Sequence, residues 1–400
     1  MKRKVIWLMV AVSLTVAIGY AANPPAVQWI KTFPKGTRTQ GAWVGQTGDG
    51  GYVVAGTWRP NNESFDFYLV KTDSLGNLQW DKTLGIGPVA WVYSGGLTDD
   101  GGYLLVGQKQ DSRHSWGLLV KTDSLGNIQW SKDFEPERQS EHSELALSSV
   151  QQTRDRGYIV GGYGGGGDLL AAYLIKTDSI GNVEWRRVFS WGYKYGYYVR
   201  VLPVHQTSDG GYIIGTIRDS VLRLIKTDTA GNMQWERVFP GKGVGGGDAV
   251  QQTQDGGYIA TGIGRSSNPE SNRADVYLLK TDASGNFQWK KTYGGPDLDN
   301  GRWVTQTSDG GYLVAGITNG TGAEYSGDGY LVRTDSAGNL IWAKVIGEPN
   351  QLDMALCAQE TSDGGYIVTG WAGFGSEVQG RFYQGHLYLL KLAPEGRRKN

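Results

Sequence analysis

The chain has 400 residues, with 39 Lys plus Arg against 39 Asp plus Glu, so its formal net charge at neutral pH is zero. That balance gives no electrostatic ground for a nucleic acid or another polyanion as partner. Cys357 is the only cysteine, so an internal disulfide is excluded and packing must hold the fold.

The N-terminus reads as a secretion signal. Met1-Lys2-Arg3-Lys4 is a basic start, Val5 to Ile18 an apolar core, and Gly19-Tyr20-Ala21 a set of small residues suited to cleavage. Residues 1–21 are therefore expected to be removed, leaving 22–400 as one domain, secreted or periplasmic, with no membrane span afterwards. A retained single anchor is the alternative, although the apolar core is slightly short for a span. No cysteine follows that core, which argues against a lipoprotein.

From Ala42 onward one phrase repeats seven times. Its tyrosine falls at Tyr52, Tyr103, Tyr158, Tyr212, Tyr258, Tyr312 and Tyr366, a period in the range of solenoids and propellers. In the first copy, four strands are predicted at Ala42–Thr47, Tyr52–Thr57, Phe65–Thr72 and Asn77–Thr83. Each is short, rich in β-branched and aromatic residues, and bounded by Gly, Asp or Asn. The links Gly48-Asp49-Gly50-Gly51 and Asp73-Ser74-Leu75-Gly76-Asn77 have the chemistry of tight turns, because Asp bonds its own downstream N–H and Gly supplies positive φ. Four antiparallel strands in seven units predict an all-β fold, a seven-bladed β-propeller.

The fourth strand carries Trp80, Trp130, Trp185, Trp235, Trp289 and Trp342. The seventh unit ends at Leu392-Ala393-Pro394 without a tryptophan. Its missing strand stands at the other terminus, where Val27-Gln28-Trp29-Ile30-Lys31-Thr32 matches Leu78-Gln79-Trp80-Asp81-Lys82-Thr83. The N-terminal strand is thus expected to complete the last blade and close the ring, leaving no open edge. The tryptophans are expected to pack between blades. The basic residues Lys71, Lys121, Lys176, Lys226, Lys280, Arg333 and Lys391 are expected to lay their stems on aromatic surface with the charge in water. Gln46, Gln152, Gln206, Gln252 and Gln306, with Leu97 and Glu360 in the equivalent places, are expected to serve backbone groups between blades.

The phrases Asp-Gly-Gly-Tyr and Lys-Thr-Asp-x-x-Gly-Asn-x-x-Trp resemble those of a group of secreted bacterial and archaeal repeat proteins, mostly uncharacterised, which implies a propeller over nearly the whole mature chain. The turn before each tryptophan also resembles the docking motif of pyrroloquinoline-quinone-type propellers, but it is one residue shorter between Asp73 and Gly76. The quinone enzymes' adjacent cysteine pair is missing as well. The resemblance therefore implies a shared fold and no cofactor.

No chemical motif stands out. His114, His142, His205 and His386 lack metal-ligand spacing. Asp297-Leu298-Asp299-Asn300-Gly301 begins like a calcium loop but has no later bidentate Glu, so no metal is expected. Connectivity nevertheless separates two ends. The one-to-two and three-to-four turns are uniform and are expected to offer little side-chain surface. The two-to-three and inter-blade loops vary, and binding residues concentrate on such loops. The candidate ligand-binding residues there are Trp58, Trp116, Trp191, Tyr193, Tyr195, Trp371 and Tyr383. The expected function is a non-enzymatic, monomeric binding scaffold whose partner is a glycan or an envelope protein. The alternative is a polysaccharide-acting enzyme drawing on Glu135, Glu137, Glu141, Glu144, Asp297, Asp299 and Asp353 at the same end.

Overall fold

The structure, a computed structural model, describes residues 22–396 apart from 62–63, 88, 112–113, 137–142, 167–168, 191–198, 202, 219–220, 240–245, 266–272, 296–297, 319–326, 348–350 and 376–384. Among the described residues every regular element is a β-strand. The first repeat folds as an antiparallel meander of Arg38–Gln46, Tyr52–Arg59, Asp66–Thr72 and Leu78–Thr83. The second runs through Ala90–Leu97, Tyr103–Gln110, Ser115–Thr122 and Ile128–Phe134, and the third through Glu144–Gln152, Tyr158–Gly166, Leu169–Thr177 and Val183–Ser190. One parallel pairing, Ser115 with Glu144, links these two. In the fourth repeat the first strand is split into Val199–Val201 and His205–Gln206. The last repeat contains Gln351–Glu360, Tyr366–Gly375 and His386–Leu392. Its fourth strand is Val27–Phe33, antiparallel to His386–Leu392 with Ile30 opposite Leu390.

The two middle strands of each meander are covered on both faces. Tyr52–Ala55 and Phe67–Val70 are all buried. Their sequences are accordingly continuous apolar runs, whereas the fourth strand, as in Leu78–Thr83, is half-exposed. Two-sided burial requires one meander to pack on the next, and a recurring set of contacts does this.

Each fourth-strand tryptophan stacks on the tyrosine of the following repeat. The seven pairs run from Trp29–Tyr52 at 5.9 Å through Trp80–Tyr103 at 6.1 Å to Trp342–Tyr366 at 5.8 Å. Such pairs contribute about 0.5–1.5 kcal/mol beyond the area they bury. The same ring lies on the next turn's glycine. A Cβ on Gly126 would stand 2.7 Å from the Trp80 ring, and its φ of +75° favours glycine in any case. Trp29 makes this contact from the last meander to Gly76 of the first. That junction also holds Thr39 N to Gly385 O at 3.0 Å and Leu387 N to Thr39 Oγ1 at 2.9 Å.

The basic residues differ from expectation. Lys121 is 2% exposed, and its ammonium is not in water. It donates to Asp100 Oδ2 at 2.8 Å, to Thr122 O at 2.8 Å and to Gln129 Oε1 at 3.0 Å. The same lysine-to-aspartate pair recurs at Lys71–Asp49, Lys176–Asp155, Lys226–Asp209, Lys280–Asp255 and Lys391–Asp363, with Arg333–Asp309 in the sixth repeat. Three acceptors around one ammonium make its burial tolerable. The amides do serve backbone groups between repeats: Asp99 N donates to Gln152 Oε1, Arg154 N to Gln206, Ser208 N to Gln252, Gln254 N to Gln306, and Ser362 N back to Gln46.

The last repeat lacks the Gly-Asn turn. Glu395 takes over at that seam, accepting from the Trp342 indole at 2.9 Å, the Tyr366 hydroxyl at 2.6 Å and Arg333 Nε at 3.0 Å.

Candidate functional site

The irregular end of the sheets carries three buried aspartates at the start of third strands: Asp66, Asp275 and Asp328. Each opens the phrase Asp-x-Tyr-Leu. Asp66 shows what one such carboxylate does alone. It accepts from Gly85 N at 2.7 Å and Ile86 N at 3.1 Å and so pins the linker to the next repeat.

In the fifth and sixth repeats a second carboxylate arrives from the following first strand. Asp299 joins Asp275, and a Cβ placed on Gly294 would collide with Asp299 Oδ2 and Asp275 Oδ1 together. Asp353 joins Asp328 around Gly347 in the same way. These glycines are required because the carboxylates occupy the space. Asp353 falls at a register shift between Leu352 and Met354, and a bulge of that kind re-aims a side chain. Its Oδ1 accepts from Gly373 N at 2.8 Å, while its own N–H donates to Gly327 O at 2.6 Å.

Asp328 and Asp353 are 7% and 3% exposed. Burial, reinforced by the negative charge of Asp353, pushes the Asp328 carboxyl up to about 6. One proton held near neutrality beside a second carboxylate is the arrangement from which acid–base pairs are made. Among the described residues no group of three or more His, Cys, Asp or Glu could hold a metal ion.

Of the carboxylates read from the sequence, Asp299 and Asp353 thus enter pairs. Glu135 and Glu144 are exposed and belong to neither. Glu137, Glu141 and Asp297 lie outside the described residues. The partners Asp275 and Asp328 were missed, although the Asp-x-Tyr-Leu phrase marks them.

Among the aromatic candidates, Trp191, Tyr193, Tyr195 and Tyr383 lie outside the described residues. Trp58 is half-buried, faces Gly36 and has Lys35 Nζ 5.7 Å from its ring centroid. Trp116 sits beside His114 with Lys109 Nζ at 5.8 Å. Trp371 is 9% exposed and stacked by the Arg38 guanidinium at 4.7 Å. Each described ring therefore has a cation on its face, worth about 0.5–2 kcal/mol according to desolvation.

No family model matches the chain, and no curated protein matches it. Solved structures do. The fold is similar to that of the polysaccharide lyase Uly1, with a TM-score of 0.52 at 10% identity, covering 96% of this chain and 94% of that one. It is similar to puromycin hydrolase, with a TM-score of 0.52 at 14% identity over 84% of this chain, which spans only 50% of that protein. A Lactobacillus plantarum protein gives a TM-score of 0.51 at 11% identity, covering 78% of this chain and 86% of that one. These likenesses establish the β-propeller fold. They also correct the expectation that the chain is not an enzyme: a lyase and a hydrolase are among the structures it resembles.

Proposed function

We propose that the chain is an extracytoplasmic polysaccharide-cleaving enzyme built on a closed seven-bladed propeller, with Val27–Phe33 as the outer strand of the last blade. The observation that carries the catalytic reading is the Asp328–Asp353 pair, crowded at Gly347 with the Asp328 carboxyl raised to about 6. In this reading Asp328 donates a proton to the glycosidic oxygen as its bond to the anomeric carbon breaks, the Asp353 carboxylate stabilises the positive charge that develops on the sugar, and a water adds at that carbon and returns a proton to Asp328. Trp58 and Trp116 supply stacking surface for neighbouring sugar units, joined in this reading by Trp191, Tyr193, Tyr195 and Tyr383, whereas Trp371 is buried under the Arg38 guanidinium and takes no part. Support for closure comes from the Trp29–Tyr52 stack, which repeats the ring pair of every other junction, and the Ser362 N to Gln46 bond, which repeats the amide bond of four of them.

A second reading is favoured by Asp66. If its role as a linker clasp extends to the paired aspartates, their function is to order the loops of a carbohydrate-binding face. One experiment separates the two. Purified protein is incubated with neutral and acidic polysaccharides at pH 5 to 7, and new reducing ends are measured. The enzyme reading predicts that Asp353→Asn and Asp328→Asn each lower the rate by about 10²–10⁴-fold while the protein stays folded. A rate unchanged in both variants, or no product from any polysaccharide, contradicts it.

A further inference from the structure

At the irregular end, guanidinium and aromatic groups form a band from the last repeat through the first to the second. Arg38, on the first strand of the first repeat, stands directly opposite Arg59 on its second. Arg38 lies over the Trp371 ring of the last repeat at 4.7 Å, and Arg59 lies over Phe65 at 4.8 Å. Phe65 stacks in turn on Trp91 of the second repeat, with ring centroids 4.8 Å apart. Backbone bonds fix the arrangement. Thr37 N and Thr37 Oγ1 donate to Arg59 O at 3.0 and 2.9 Å, and Ala90 N donates to Phe65 O at 3.0 Å. Arg38, Arg59, Phe65 and Trp91 are half-buried, so each keeps part of its surface in water.

Two cations facing each other across a ladder destabilise the strand pair. Burial, reinforced by the charge of Arg59, holds the Arg38 guanidinium below its ordinary value. In the fourth repeat a cation of the sheet meets a carboxylate instead, where Arg223 Nη1 stands 2.9 Å from Glu236 Oε1. Arg59 Nε donates to Asn61 O at 2.9 Å and Arg38 Nη2 to Gln40 Oε1 at 3.5 Å, both neutral acceptors. A guanidinium over a ring keeps its N–H donors at its edge, in the fork that grips the paired oxygens of an anion.

The band adjoins the aspartate pair. Trp371 and Gly373 lie two residues apart on one strand. The first carries Arg38 on its ring, and the second donates its N–H to Asp353 Oδ1 at 2.8 Å. Met354, next to Asp353, is the ladder partner of Trp371. A ligand seated at Asp328 and Asp353 therefore has the two arginines beside it.

We propose that Arg38 and Arg59 form an anion subsite, so that the polysaccharide taken at this end is an acidic one, held by a uronate carboxylate or an ester sulfate between the two guanidiniums. Trp91 offers its ring to the neighbouring sugar. The inference rests on the reading of this end as a polysaccharide site and names the class of that polysaccharide. The anion offsets a like-charge pair that the fold otherwise holds at a cost.

Binding is measured by titration calorimetry with galacturonate oligomers, their methyl esters, sulfated dextran and plain dextran, in the wild-type chain and with Asp353→Asn to stop turnover. At least one acidic probe should bind about ten-fold more tightly than its uncharged counterpart, and Arg59→Gln should remove that advantage and most of the salt dependence. Preference for galacturonate assigns the carboxylate and preference for sulfated dextran the sulfate; either supports the proposal. Arg38→Gln can loosen the seam at Trp371, so Arg59 carries the test. Arg59→Lys, which keeps the charge and loses the fork, should lie between wild type and Arg59→Gln, with the melting temperature unchanged. Lys132→Gln at the turn end should leave binding as it was. Equal binding of charged and uncharged probes, no binding of either acidic probe, or the same loss in Lys132→Gln overturns the proposal. An acidic probe bound through Arg59 but never cleaved supports the subsite and contradicts the enzyme reading. Cleavage of plain dextran that Arg59→Gln leaves unchanged does the reverse.

Discussion

The turn end and the loop end of these sheets handle buried charge in opposite ways. At the turn end every buried cation has a carboxylate opposite it, as Lys121 has Asp100. At the loop end of the fifth and sixth repeats, carboxylate meets carboxylate. The first arrangement holds the fold. The second costs stability, because two acids crowded out of water resist joint ionisation. Groups kept at such a cost cluster at functional sites, so the comparison assigns stability to the turn end and, under the proposed function, chemistry to the loop end.

The largest expected effect falls on the inter-repeat stack. Trp29→Ala removes the ring that lies on Tyr52 and Gly76 and should destabilise by about 3–5 kcal/mol. Trp58→Ala at the loop end should cost less, since both rings are half-buried but only Trp29 rests on the tyrosine and turn glycine of the next repeat, Tyr52 and Gly76. Chemical denaturation of the two variants checks the order, and a reversed order breaks the division of labour.

Asp100→Asn should cost about 1–3 kcal/mol, because it leaves the ammonium of Lys121 buried with weaker acceptors. Asp328→Asn should do the opposite and raise stability at pH 8 by about 1–2 kcal/mol, since a buried charge facing Asp353 is removed. A loss of stability in Asp328→Asn at that pH would show that its charge is supported, as at the turn end.

The pH dependence sharpens the contrast. Asp49 is held down at about 2 by its bond from the Thr47 hydroxyl and by Lys71. Asp100 is also at about 2: burial raises it, but bonds from Lys121 and Thr98 outweigh that. Their folded values lie below the unfolded one, so the stability they contribute is present above about pH 4 and lost as the pH falls towards 2. Asp328 is displaced the other way, so its contribution is present below about pH 4 and lost as the pH rises through 6. The melting temperature should therefore fall on both sides of a maximum at mildly acidic pH. Asp328→Asn should flatten the upper limb only, and Asp100→Asn should weaken the lower limb only.

Much of this fold was legible because it repeats. Seven tyrosines fixed the period, and the split Trp29 motif anticipated the pairing of Val27–Phe33 with the last meander. Strand starts were less legible: Arg38–Thr39–Gln40 joins the first strand although its residues look like loop, because Thr39 is tied to Gly385 and Leu387 of the last repeat. The lysines were misread because a single side chain gives no sign of three acceptors converging on it. The site was half legible. Asp299 and Asp353 stood out as acids on variable loops, but what defines them is a neighbour some 25 residues earlier in sequence, Asp275 or Asp328, brought close only when repeats stack. The apolar turn residues were visible in the sequence as Leu75 or Ile180. Their exposure was not, since a tight turn can point such a side chain either way; Leu75 is 64% exposed, so that end offers more side-chain surface than expected.

The contrast between the two ends is tested most directly by following aspartate carboxyl resonances through a pH titration by carbon NMR, with Asp328→Asn to assign the signal. The account predicts one carboxyl titrating near pH 6 that disappears in Asp328→Asn, while the Asp100 signal stays ionised down to about pH 2. If every aspartate titrates below about pH 4, the unmodified value, the loop-end pair is not a proton-sharing site and the catalytic reading fails.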